Sequence, residues 1–185
     1  KLFKNLFLYH TFFTFVYFLS TKVQSADAIL YYNSSRFHLK FGTAFIDSIV
    51  YILSDVLKLS FLSTFWVFGL IGFLWLPSIY ISIRENIVMS RRLAQVLNYI
   101  LFLPGLSYWT SAIGKDGPML LGIACVFFSL NHISKRKKWF FFGIILSIMV
   151  RPHIAALLLI AVGLGVLLHR QYFRSKFVLC LCLVA

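Results

Sequence analysis

The chain has 185 residues, of which 61% are hydrophobic, 18% aromatic and only 12% charged, whereas charged residues make up roughly a quarter of an ordinary soluble domain. So much apolar surface cannot be hidden in one core of this size, which excludes a disordered chain, a nucleic-acid-binding arm and a compact cytosolic enzyme and implies a membrane protein. The 18 Lys and Arg against 5 Asp and Glu give a net charge of +13, but these cations fall in short clusters between apolar runs, the arrangement that orients a multi-spanning protein.

A spanning helix needs about 20 predominantly apolar residues, fewer inside a bundle. Residues 6–20 are the first candidate. Lys1 and Lys4 ahead of them, and Ala26-Asp27-Ala28 beyond, resemble a secretory leader with its cleavage site. The bulky aromatics of the run, the distance of those small residues from its end and the spans that follow favour a retained helix. Residues 21–60 form the first outer loop, polar over 21–40. Over 42–60, Asp47, Tyr51, Ser54, Asp55 and Lys58 recur at helical spacing opposite Phe45, Ile46, Ile49, Ile52, Leu53, Val56 and Leu57. That pattern predicts an amphipathic helix lying on the membrane surface or against a bundle.

Residues 61–83 are the clearest span, with Pro77 near the end as a kink or stop. Arg84, Arg91 and Arg92 bound a short connection, and residues 93–110 form the next span, interrupted at Pro104-Gly105. A tight outer turn, 111–117, leads to Pro118 in a first helical turn and to a return span over 119–130, closed by Lys135, Arg136, Lys137 and Lys138. Residues 139–169 are too long for one span and short for two. Because the residue before a proline is biased away from helix, Arg151-Pro152 predicts two short helices, 139–150 and 153–168, meeting at a break that carries a positive charge. His169, Arg170, Arg174 and Lys176 follow, then an apolar run over 177–185 too short to cross. With Lys1 at the other end, the chain reads as a single membrane module, 1–185, incomplete at both ends. The predicted fold class is all-α: a polytopic transmembrane helix bundle with an amphipathic surface helix in its first outer loop.

The charges map sidedness. With a cytoplasmic amino terminus and one crossing per segment, the inner loops hold twelve of the basic residues and the outer side six: Lys22, Arg36, Lys40, Lys58, Lys115 and Arg151. The positive-inside rule supports this orientation. Glu85 alone among the acids lies inside, while Asp27, Asp47, Asp55 and Asp116 lie outside.

Chemistry is therefore expected on the outer side. A carboxylate at a membrane surface can act as general base on a hydroxyl, and a buried Arg or Lys can hold a phosphate while it leaves. Asp27 follows the first span, and equally suits a solvated loop or a helix cap. Asp116, in Gly114-Lys115-Asp116-Gly117, could simply cap the next helix, a role worth about 1 kcal/mol. Arg151 demands a partner, since an arginine at membrane depth costs about 2.5 kcal/mol or more without one. His38 and His153 read first as packing or interface residues, and no His/Asp spacing amounts to a metal site. Cys125, Cys180 and Cys182 lie in apolar runs, against a disulfide framework or a zinc site. Gly163-Leu164-Gly165 begins no dinucleotide motif, because Leu168 stands where the third glycine would be.

Taken in order, a first span, a long outer loop with an early Asp and surface helices, a short outer turn with an acid, a basic inner clamp and two short helices split at Arg151-Pro152 resemble the amino-terminal module of GT-C-type integral membrane glycosyltransferases. The resembling stretches are 27–32, 103–116 (LPGLSYWTSAIGKD) and 137–168. The resemblance implies a polyprenyl-phosphate-linked or diphosphate-linked sugar donor, transfer on the outer face of a bacterial inner membrane, and membrane lipids but no nucleic acid as partners. It implies catalytic roles for Asp27, as the acid that activates the acceptor, and for Asp116, which orients substrate or, in some members, a divalent metal. Arg151 takes the place of the basic residue near the lipid phosphate, and Lys115, His153 and Tyr31 complete the candidate substrate-binding set. Many members carry paired acids in the first loop, whereas Asp27 is flanked by Ala26 and Ala28; no metal or other cofactor is assigned. A surface-polysaccharide repeat-unit polymerase or ligase shares the lipid-linked substrate. A transporter or membrane scaffold is the non-enzymatic alternative, and no inverted repeat of the transporter kind is visible.

Overall fold

The computed structural model describes residues 1–168 apart from Ser25, Ser34, Ser35, Leu39 and Asn131. The basic stretch 169–176 and the apolar run 177–185, with Cys180 and Cys182, lie outside the described residues. Every regular element among the described residues is helical. Two helices, α1 (Leu2–Ser20) and α4 (Phe61–Asn86), are long and apolar enough to cross a membrane. They run antiparallel: Phe3 meets Tyr80, Phe7 meets Phe73 and Phe18 meets Phe65. The buried seam of α1 is Leu6, His10, Thr14 and Tyr17, one residue per turn. It lies close to α4 because α4 offers glycine there: a Cβ on Gly69 would sit 2.7 Å from Thr14 Oγ1, and one on Gly72 would sit 3.3 Å from His10 Nε2. The helix also continues past Pro77 to Asn86. In that stretch Ser78 and Ser82 donate their hydroxyls to the carbonyls of Leu74 and Ser78, the local compensation that lets a proline stay inside an apolar helix.

The stretch expected as the first outer loop, 21–60, folds as α2 (Asp27–Asn33), α3 (Thr43–Tyr51) and a π-helical turn, Ile52–Val56. The helix predicted over 42–60 is thus shorter and ends in a widened turn. Ile46 and Val50 are buried and Leu53 packs beside them, but Ile52, Val56 and Leu57 are exposed, so the end of the apolar stripe read from the sequence does not pack. Residues 93–110, predicted as one interrupted span, are two helices, α5 (Arg91–Leu101) and α6 (Pro104–Thr110). The break falls just before the proline, where Phe102 C=O accepts a hydrogen bond from Tyr9 Oη at 2.8 Å.

A tight hairpin follows, α7 (Asp116–Leu130) against α8 (Ile133–Val150). A Cβ on Gly143 would lie 2.5 Å from the Gly122 carbonyl, so small residues set this approach. The segment 135–138 lies within the start of α8, bent at Arg136, and α9 (Pro152–Leu168) begins after Arg151. The predicted break at Arg151-Pro152 is where the chain divides: Arg151 is non-helical at φ −148°, ψ 88°. Large apolar side chains line the flanks, among them Leu8, Phe12, Leu74, Phe142, Ile145, Leu157 and Ile160, all exposed. Exposed apolar surface of this extent marks a membrane or protein contact.

Candidate functional site

Asp27, Asp116 and Arg151 converge at one end of the bundle. Buried Tyr17, Ala28, Ile46, Val50, Ile113 and Val150 pack as one cluster beneath them and fix α1, α2, α3, the 111–115 turn and the end of α8 relative to each other. Two further ties hold the loop down. Gly42 N–H donates to Met149 C=O at 2.7 Å, and Tyr32 Oη donates to Leu59 C=O at 3.0 Å.

Arg151 Nη2 donates to Asp116 Oδ1 at 2.7 Å. The extended backbone at the helix break aims the guanidinium back at α7, while its own N–H still bonds Ser147 C=O at 2.9 Å. Asp116 stands in the first turn of α7, where the helix dipole favours a carboxylate. It is therefore both a helix-start acid and the partner that the arginine required. The pair is half-buried.

A polar cavity of about 180 Å³ opens over this pair, lined by Tyr17, Asp27, Tyr31, Trp109, Lys115, Asp116 and Arg151. A second chamber of about 260 Å³ shares Asp27 and Tyr31 with it and adds Leu30, Thr43 and Asp47. On the other side an apolar groove of about 320 Å³, walled by Leu106, Met119, Leu120, Ile123 and Ile154, ends on Trp109, Asp116 and Arg151. The apolar groove and the charged cavity thus share Trp109, Asp116 and Arg151 in their walls.

The electrostatics follow this layout. Burial pushes the Tyr31 phenol up, and the nearby charges of Asp27, Asp47 and, more weakly, Asp116 push the same way, against a hydrogen bond with Thr43. Tyr31 is thus ringed by three carboxylates. Burial also pushes the Asp47 carboxyl up, opposed by His38 and Lys115.

Of the residues predicted from sequence, Asp27, Tyr31, Lys115, Asp116 and Arg151 all line the polar cavity. His153 is exposed on the first turn of α9 and lines none of the three spaces described. Sequence reasoning missed Asp47, Tyr17 and Trp109. Asp47 sits on the polar face of α3, which reads as a solvent face but looks into the second chamber. Its signal is that a polar helix face inside a loop already rich in acids has two ways to be wet. Among the described residues no three His, Cys, Asp or Glu side chains converge to hold a metal ion. No family model matches the chain, and neither a curated protein nor a solved structure matches it significantly.

Proposed function

We propose that this chain is a multi-pass module of a bacterial plasma membrane that transfers a sugar from a polyprenyl-phosphate-linked donor to a hydroxyl acceptor on the outer face. The observation that carries the reading is Arg151, which stands in the wall of both an apolar groove and a cavity lined by two cations and two carboxylates. A lipid-linked sugar phosphate has that polarity in that order. Its chain suits the groove, its phosphate suits Arg151 and Lys115, and its sugar suits the space between Trp109, Tyr31 and Asp27. The apolar belt and the two long helices support insertion, and the twelve-to-six division of cations supports the orientation.

Asp27 accepts the proton of the acceptor hydroxyl as its oxygen bonds the anomeric carbon. The bond from that carbon to the phosphate oxygen breaks, and the electron pair leaves with the polyprenyl phosphate. Arg151, aimed by Asp116, neutralises the charge that grows on that oxygen. Asp47 and Tyr31 hydrogen-bond sugar or acceptor hydroxyls from the second chamber. The test is transfer from a polyprenyl-phosphate-linked sugar by the full-length protein in proteoliposomes. Asp27→Asn and Arg151→Ala variants that retain wild-type transfer would overturn the assignment. Cysteines introduced at Gln24 and Ser134 label from opposite faces of the membrane; labelling from one face overturns the orientation.

The pairing of Lys115 with Arg151 at one cavity also suits a diphosphate-linked donor, as a repeat-unit polymerase or ligase would use. Release of polyprenyl diphosphate instead of monophosphate distinguishes the two.

A further inference from the structure

The opposite end of the bundle carries a surface that the proposed transfer does not use. There α4 ends, α5 begins and α8 begins, and Arg84, Arg91, Arg92, Lys135, Lys137 and Lys138 are all exposed. The carboxylate at this end, Glu85, is engaged by Arg136 through two hydrogen bonds, at 2.6 and 2.9 Å. Arg136 is further held by Phe128, whose carbonyl accepts from Nη1 at 2.9 Å and whose ring lies 4.0 Å from the guanidinium carbon. With that pair engaged, these six cations form a patch, flanked by exposed Lys1 and Lys4 at the start of α1, and the described residues bring no other carboxylate to this end.

Apolar groups stand beside these cations. Leu97 and Leu101 seat α5 on the core around Trp75 and Leu76. The apolar arc does not stop at that seam: Leu93, Val96 and Ile100 continue it around the helix and are exposed. Arg91, Arg92, Gln95 and Asn98 occupy the other side. Just ahead, Ile87 is about half exposed and Val88 fully exposed in the short loop after α4. A helix with an outward apolar stripe, flanking arginines and a neighbouring apolar loop has the form of an element that lies in a membrane interface. Water would favour neither Val88 nor the Leu93 stripe at such exposure, and an uncharged leaflet would leave the six cations uncompensated.

We infer that the α5 end is a docking surface for anionic phospholipids: Leu93, Val96, Ile100 and Val88 enter the acyl boundary, and Arg84, Arg91, Arg92, Lys135, Lys137 and Lys138 hold phosphate-bearing headgroups. The inference rests on the membrane placement proposed above but not on the transferase reading. Cations that only set orientation during insertion would have no preference between lipids once the protein is reconstituted, so the two roles separate by experiment.

The experiment is electron paramagnetic resonance of spin-labelled phosphatidylglycerol and phosphatidylcholine around the full-length protein in neutral-lipid nanodiscs. Motional restriction of the phosphatidylcholine probe reports membrane placement alone, and its absence would overturn that premise. Preference for phosphatidylglycerol reports the inferred surface. We expect an about fivefold preference at low salt, the factor that one cation at a charged leaflet supplies. It should collapse toward unity at high salt, and fall in Arg91→Gln/Arg92→Gln and in Lys137→Gln/Lys138→Gln, while Lys22→Gln/Lys40→Gln at the opposite end leaves it unchanged. Equal restriction of both probes at low salt overturns the inference. So does a salt-sensitive preference that survives both double variants, since the headgroups would then bind elsewhere. The wild-type salt series decides the matter even where a variant inserts poorly.

Discussion

Among the described residues, each end of the bundle holds one arginine–carboxylate pair, and the two pairs are built differently. Arg136 commits about three of the five donors of a guanidinium, with two bonds to Glu85 and one to the Phe128 carbonyl, and lays its face on the Phe128 ring. Arg151 makes a single side-chain hydrogen bond among the described residues, to Asp116, and turns the rest of its fork to a cavity. The first joins α4 to α8 as a clamp. The second is held at one corner and left with donors to spare, which is what a phosphate site needs. Residue type alone does not separate the two arginines; the larger unspent hydrogen-bonding capacity is what suits Arg151 to the phosphate role proposed for it.

The largest effects should come from breaking the cavity end. Asp27→Asn keeps the shape of the side chain and one acceptor oxygen but removes the base, so kcat should fall about 10²–10⁴-fold with donor binding kept. Arg151→Ala should lower transfer about 10²–10³-fold, as loss of a charge-stabilising donor does, and Arg151→Lys should recover only part because a point charge cannot share Asp116 and a phosphate in the same planar way. Glu85→Gln and Arg136→Gln should leave both constants within about twofold, since the clamp touches no cavity residue. Steady-state kinetics on all five variants checks the contrast, and equal losses at the two ends would remove it.

Much of this asymmetry is legible in the sequence. Arg151-Pro152 announces a break with a charge on it, because proline both lacks the N–H and restrains the residue before it. The acids gather on one side of the apolar runs, so Asp27 and Asp116 can be expected together even though 89 positions separate them in the sequence. What cannot be read is which polar residues end up facing a cavity instead of water. Asp47 and His153 illustrate the two errors: the polar face of its helix makes Asp47 read as outward, yet it lines the second chamber, while His153, expected among the substrate-binding residues, is exposed and lines none of the three spaces. The engagement of Arg136 is equally hidden, since Glu85 and Phe128 reach it from different helices.

A smaller effect concerns stability. Both pairs are partly exposed, with side-chain accessibilities of 23% and 30% for Arg136 and Glu85 against 35% and 45% for Arg151 and Asp116. Solvent screening therefore trims each. The bidentate, ring-stacked pair should still show a coupling of about 1–2 kcal/mol in a double-mutant cycle, and the single-bonded pair about 1 kcal/mol or less. Denaturant unfolding of the detergent-solubilised protein measures both. A stronger coupling at Arg151 than at Arg136 would mean that its capacity is spent after all.

The smallest effect sharpens the cavity end itself. The folded protein raises the pKa of Asp47, mainly by burial and in spite of His38 and Lys115, so its folded state holds the proton to higher pH than the unfolded chain does. Stability from this group is then greatest below the ordinary carboxylate range, declines as pH rises from there through the raised folded value, and is level above it. Asp47→Asn removes the desolvated charge. The variant should match the wild type in acid and gain on it as pH rises, by about 1–2 °C in Tm at neutral pH once screening of a partly exposed group is allowed for. A gain in stability joined to a loss of acceptor affinity would identify Asp47 as a charge held at some cost for binding. A variant that is less stable at neutral pH would instead make Asp47 a structural partner of Lys115, and the second chamber would lose its claim on the acceptor.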